Sequence, residues 1–151
     1  MKDQVIIITG AAMGLGLATA ELLAKEGAKL VLVDYNDDAL KDAEKKLKEI
    51  NPKVALLSVK ADVSSEEQVK NYVDQAVKQF GRIDGLYNNA GIEGKQAPII
   101  DYDLDVFKKV IDINLMGVYY GLRYVIPVMQ KQNFGRIVNV ASVGGIRGVL
   151  N

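Results

Sequence analysis

Three glycines, an aspartate and a serine carry most of the chemistry this sequence offers. The stretch TGAAMGLG, Thr9 to Gly16, spaces its glycines four and two residues apart. Glycines so placed allow a tight turn, close approach of backbone to a diphosphate, and close packing of a helix on a strand. A helix starting directly behind such a turn offers free N–H groups and a positive dipole end to phosphate oxygens. Eighteen residues after Gly16, the run VLVDYN brings Asp34, whose carboxylate can accept both hydroxyls of a ribose. Near the far end, IVNVAS sets Ser142 behind an apolar run. Cysteine and histidine are absent. That excludes disulfides, Cys/His metal sites and a serine–histidine triad within these 151 residues. Acid/base chemistry here falls to carboxylates, lysines or tyrosines.

The elements that must position these residues alternate along the chain. Short β-branched runs predict strands at Val5–Thr9, Lys29–Val33, Val54–Lys60, Gly85–Tyr87 and Arg136–Val140. Several are almost continuously apolar, as expected of strands covered on both faces. Amphipathic stretches predict helices over Leu15–Glu26, Asp37–Ile50, Glu66–Phe80 and Asp103–Gln130. The first sets Leu15, Ala18, Leu22 and Leu23 on one side, with Gly27 as its stop. Ser64 with Glu67 has capping-box spacing, and Asn51-Pro52 closes the second helix. Such alternation predicts an α/β fold, a doubly wound parallel sheet. The chain reads as one dinucleotide-binding domain over 1–151.

Composition narrows the partners. The 19 basic and 19 acidic residues cancel, so no global field favours nucleic acid or an anionic membrane. The apolar run Val5–Ile8 is too short for a signal core or a membrane span, and a cytoplasmic location is the expectation. Asp34 would repel a 2′-phosphate, and no arginine or lysine lies between Leu30 and Leu40 to neutralise one. The pattern therefore favours NAD over NADP.

The glycine spacing exceeds that of most dinucleotide folds by one residue and resembles the TGxxxGxG signature of the short-chain dehydrogenase/reductase family. ADV at Ala61–Val63, NNAG at Asn88–Gly91, DINLMG around Asn114 and IVNVAS around Ser142 follow in the family's order. NNAGIEGKQ and ASVGGIRG resemble its levodione-reductase-like members, which act on cyclic ketones. The resemblance implies a Rossmann-like fold and an NAD site built from Gly10, Met13, Gly14, Leu15 and Gly16, with Asp34 and Tyr35 behind them. Asp62 and Val63 would meet the adenine, and Asn89, Ala90 and Gly91 would complete the site. It implies Ser142 and Asn114 as catalytic residues, a small ketone or alcohol as substrate, and a homo-oligomer, dimer or tetramer. Plainer roles stay open: Asp62 at a helix start, Asn88 and Asn89 in a turn, Asn114 as a structural amide, Ser142 as a loop serine. Tyr119, Tyr120 and Tyr124 read as packing or interface residues.

The implied reaction is hydride transfer between NAD and a ketone or secondary alcohol. In the family a tyrosine moves the proton, and a lysine four residues on lowers its pKa from the ordinary value near ~10. Each of the seven tyrosines fails this test: the residues four positions on are Ala39, Ala76, Gly91, Val106, Arg123, Tyr124 and Val128. The expectation is therefore a sheet truncated after the fifth strand, with the tyrosine–lysine pair beyond Asn151 and little activity in this chain alone. Two other readings compete: a non-catalytic nucleotide-binding module ending naturally at Asn151, and a methyltransferase, against which NNAG and the TGxxxGxG spacing argue.

Overall fold

The computed structural model describes residues 1–147. Its five strands are β1 (Val5–Thr9), β2 (Lys29–Asp34), β3 (Leu56–Lys60), β4 (Gly85–Asn88) and β5 (Arg136–Asn139), all parallel, in the order β3-β2-β1-β4-β5. Helices α1 (Gly14–Lys25) and α2 (Asp37–Ile50) carry the chain outward from β1 to β3. Helix α3 (Glu66–Phe80) returns it across the sheet to β4, on the other side of β1. The strand order thus reverses between β1 and β4, and a crevice opens outside the strand ends at such a point.

Alternation along the strands feeds two cores. Ile6, Ile8, Leu30 and Leu32 pack with Leu40 and Leu47 of α2. Val5, Ile7, Val31 and Val33 pack with Val69, Tyr72 and Val73 of α3 and Val125 of α5 (Gly117–Gln132). Strands β1 and β2 are buried on both faces, as their unbroken apolar runs require. Strand β5 forms one edge, with Val138 57% exposed.

Several local expectations need correction. Strand β2 runs one residue further, to Asp34, and β3 begins at Leu56 rather than Val54. Leu15, Ala18 and Leu22 are exposed; the buried face of α1 is Gly16, Ala20 and Ala24. Only small residues fit there, because the glycine turn brings the helix close to the strands. A Cβ on Gly16 would stand 2.0 Å from the Gly10 carbonyl oxygen. Gly27 does end α1: at φ +77° it donates to Ala24 while Ala28 donates to Leu23, a Schellman closure. Ser65, not Ser64, caps α3 by accepting the Gln68 N–H, because Ser64 is turned toward Asp62. The expected long helix Asp103–Gln130 is three pieces: α4 (Leu104–Ile111), a π turn over Asp112–Met116, and α5. Asn114 lies in the π turn, a distortion often found where a helix serves a site.

Candidate functional site

At the switch point the ends of β1, β2 and β4 are tied together by side chains that the motifs contribute. The Thr9 hydroxyl, at the end of β1, accepts the backbone N–H groups of Asn89 and Ala90, both at 3.0 Å. The Asn89 amide donates back to the Thr9 and Gly10 carbonyls at 3.0 and 3.3 Å. Asp34, 6% exposed, accepts from Ala12 N–H with one oxygen and Asn36 N–H with the other, both at 3.1 Å. Its carboxylate therefore fastens the glycine turn to the end of β2. Asn88 performs the same service across β4 and β5, donating to the Asn139 side chain at 3.1 Å.

Helix α1 starts differently from its neighbours. Asn36, Ser65 and Asp103 cap α2, α3 and α4 with their side chains, and each of those helices has an acidic first turn. Met13, at the head of α1, provides no side-chain cap, and the first turn holds no acidic residue. The N–H groups there remain available, with the helix dipole uncompensated. Gly10 and Gly14 lie at φ +64° and +54°, in the left-handed region that favours glycine, and no atom lies within 4 Å of a Cβ on Gly14.

Above these loops is a crevice of about 920 Å³. It is lined by Gly10, Met13, Gly14 and Leu15 from the glycine turn, by Asp34 and Tyr35, and by Asp62 and Val63. Asn89, Ala90 and Gly91 line its β4 side, and Asn114 and Ser142 are brought to the same crevice. Gly16 alone of the expected site residues does not line it; it lies beneath, letting Gly10 approach α1. Met13, Leu15 and Tyr35 expose 58%, 68% and 71% of their surface at the rim, apolar area that a bound molecule would cover.

The polar groups facing the crevice differ in their freedom. Asp62 Oδ1 takes the Ser64 N–H and hydroxyl at 2.9 and 2.7 Å, while Oδ2 accepts nothing among the described residues. Both ends of the Asn114 carboxamide hold Ile92: Oδ1 accepts its N–H at 2.9 Å and Nδ2 donates to its carbonyl at 2.8 Å. Ser142 follows β5 and accepts the Gly144 N–H at 3.2 Å. Sequence reasoning missed Thr9 as a staple and Ile92, Glu93, Lys109 and Val118 as crevice residues. Val118 could have been found from its place one helical turn beyond Asn114. Thr9 stands in the TGxxxGxG signature and Ile92 and Glu93 in NNAGIEGKQ, whereas Lys109 carries no signal of its own.

Among the described residues no group of His, Cys, Asp and Glu is gathered to hold a metal, and no helix is long and apolar enough to cross a membrane.

A parallel sheet wound in both directions, with a glycine turn running into an uncapped helix at its switch point, defines a Rossmann-like protein. Within that class the chain belongs to the short chain dehydrogenase family, whose pattern matches residues 4–151. Levodione reductase of Leifsonia aquatica is 50% identical over 149 residues, 99% of this chain and 56% of the relative. A crystal structure of levodione reductase matches with a TM-score of 0.96 at 50% identity, over 99% of this chain and 58% of that one. The crystal structure of NAD+-bound xylitol dehydrogenase matches at 0.94 and 44% identity, over 98% and 56%. The chain thus spans about half the length of the curated relatives it matches, 56% of levodione reductase.

Proposed function

We propose that this chain supplies the NAD-binding portion, read as one domain over 1–151, of an oxidoreductase that interconverts a ketone and a secondary alcohol. The carrying observation is the uncapped start of α1 facing the crevice beside the Asp34 carboxylate. The residues fit the cofactor. Gly10, Gly14 and Gly16 leave three positions of the turn without a Cβ, and the α1 N–H groups beside Met13 and Leu15 suit a diphosphate. Asp34 keeps lone pairs for ribose hydroxyls beyond its two backbone bonds, with Tyr35 beside it. Asp62 Oδ2 is an acceptor suited to an adenine amino group, and Val63 adds apolar surface. Asn89, Ala90 and Gly91 line the same crevice as Ser142. NAD-bound xylitol dehydrogenase, the relative just described, supports the choice of cofactor.

Bound NAD would supply or accept the hydride. Ser142 is assigned to hold the substrate oxygen by its hydroxyl. Asn114 is assigned a positioning role: two bonds to Ile92 leave its amide one N–H and one lone pair for a water. No tyrosine here is followed by a lysine four residues on, so the proton-transferring group is assigned to the rest of the protein at its natural length. Leu104, Phe107, Ile111, Leu115, Tyr119 and Ile126 form an exposed apolar stripe along α4, the π turn and α5, which supports self-association into a dimer or tetramer.

The test is direct. The protein at its natural length, titrated with NAD+ and NADP+ by calorimetry, should bind NAD+ more tightly, and should reduce cyclic ketones with NADH. Absence of NAD binding, or tight binding of S-adenosylmethionine instead, would overturn the proposal.

A further inference from the structure

Asp62 is held at all of its polar atoms but one. Its backbone N–H donates to Gln68 Oε1 at 2.9 Å, and its carbonyl accepts the Ser65 N–H at 3.1 Å. Oδ1 takes the Ser64 N–H and hydroxyl, which leaves Oδ2 without a partner among the described residues, on a residue that lines the crevice. The turn around it is fixed on both sides. Ala61 donates its N–H to the Asp34 carbonyl at 2.9 Å, joining the turn to the end of β2. Val63, 8% exposed, is seated against the start of α5, where a Cβ on Gly117 would stand 2.9 Å from Val63 Cγ2 and 3.2 Å from its carbonyl oxygen. Gln68 departs from the habit of its place. It is the third residue of α3 behind the Ser65 cap, where a glutamine ordinarily turns back to the N–H of the cap residue itself. Here the Ser65 N–H goes to the Asp62 carbonyl, and the Gln68 side chain reaches past Ser65 to the Asp62 N–H. Stabilising the helix start needs only the shorter reach. The longer one fixes Asp62.

Resting on the NAD-binding reading above, we propose that Gln68 is a positioning residue for the adenine end of the cofactor: it holds the Asp62 backbone so that Oδ2 stays free to accept the adenine amino group. An ionised carboxylate offers acceptors alone, so it rewards an amino group and repels a carbonyl oxygen at the same place. The bond from Ser64 engages the other oxygen and leaves Asp62 one acceptor for the ligand. Gln68 touches no ligand itself and acts through the direction it gives Asp62.

The experiment titrates the protein at its natural length, by calorimetry, with NAD+ and with its deamino analogue, in which hypoxanthine puts a carbonyl oxygen where adenine has its amino group. Wild type should bind NAD+ about tenfold more tightly, the scale of one charge-assisted hydrogen bond partly open to water. Asp62→Ala should bring the two Kd values within about twofold of each other. Gln68→Leu, which keeps the bulk and removes the acceptor, should cut the ratio to about threefold or less, chiefly by weakening NAD+. Gln68→Glu, which keeps an acceptor oxygen at the same reach, should restore most of the ratio. Glu67→Ala, a change in the same turn of α3, should leave it as in wild type. A merely structural role would weaken both dinucleotides together. Equal weakening of both by Gln68→Leu, an unchanged ratio in that variant, no recovery in Gln68→Glu, or a wild-type ratio near one would each overturn the role of Gln68 while leaving the NAD-binding reading intact. No binding of either dinucleotide to wild type would overturn both.

Discussion

Replacing Gly16 with alanine separates backbone packing from helix propensity. In an exposed helix interior the change would stabilise by about 1 kcal/mol. Here the new Cβ would lie 2.0 Å from the Gly10 oxygen, 2.8 Å from the Gly10 carbonyl carbon and 2.9 Å from the Asn89 amide. Reaching ordinary contact at 3.4 Å requires a separation of roughly 1.4 Å between α1 and the glycine turn. Neither partner has a flexible end to swing aside. Gly10 is pressed from behind, since its own Cβ position lies 3.0 Å from both Ala90 and Asn89. Overpacking of this kind costs about 1–3 kcal/mol, and a clash between two backbones belongs near the top of that range. After the propensity gain, a net loss of about 2 kcal/mol is expected, near 1 M in urea midpoint for a slope of about 2 kcal/mol/M. The same displacement moves the α1 N–H groups away from the crevice, so NAD+ affinity should fall about tenfold or more. Gly14→Ala is the control: it meets open space but carries the left-handed penalty of about 1–2 kcal/mol, with no displacement of the helix. The assays are urea unfolding and calorimetric NAD+ titration of the protein at its natural length. A Gly16→Ala variant with an unshifted midpoint and unchanged affinity would refute the argument.

Three further outcomes follow from the site and core. Asp34→Ala should raise NADP+ affinity relative to NAD+, read by parallel titrations, because the carboxylate that repels a 2′-phosphate is gone; an unchanged ratio would count against its role. Asn114→Ala removes both bonds to Ile92 and should cost about 1–2 kcal/mol in urea unfolding, with faster amide exchange at Ile92. Tyr72→Phe should be neutral or stabilising by about 1 kcal/mol at pH 7, because the buried hydroxyl has no partner among the described residues. Burial also pushes the Tyr72 phenol above its ordinary range near ~10. Its contribution is therefore whole below pH ~10 and is lost as pH rises above that, where the unfolded chain ionises first. Tyr72→Phe should flatten the alkaline decline of urea midpoints, and an equal slope in both proteins would contradict this.

The sheet was legible because its signal is local. Val5–Thr9 and Lys29–Asp34 are apolar on both faces, and each is punctuated by glycine or a capping residue that marks where the next helix begins. The glycine turn and Asp34 were legible for the same reason, since four- and two-residue spacings are read directly from the chain. The face of α1 was misread because leucines at helical spacing ordinarily mark the core. Close approach at Gly16 reverses that: it leaves room only for Ala20 and Ala24, and it turns Leu15 and Leu22 outward. The π turn was illegible as well, because inserting one residue into the helical repeat has no composition of its own. Within it stands Asn114, whose amide meets Ile92 at both ends.

Thr9, Asp34, Asn89 and Asn114 share one physical habit: their polar atoms bind loop backbone. Three strand ends far apart in sequence are thereby joined before any ligand arrives, and the N–H groups of α1 are aimed without a side chain to cap them. A crevice whose walls are fixed backbone presents nearly the same shape whatever the neighbouring side chains. Discrimination between ligands must then come from the few polar groups left unpaired at its surface. Among the described residues these include Glu93, Lys109 and the second oxygen of Asp62, to which Ser142 adds a hydroxyl whose proton is free to donate. Changing the residues that tie these strand ends should therefore disturb folding and binding together.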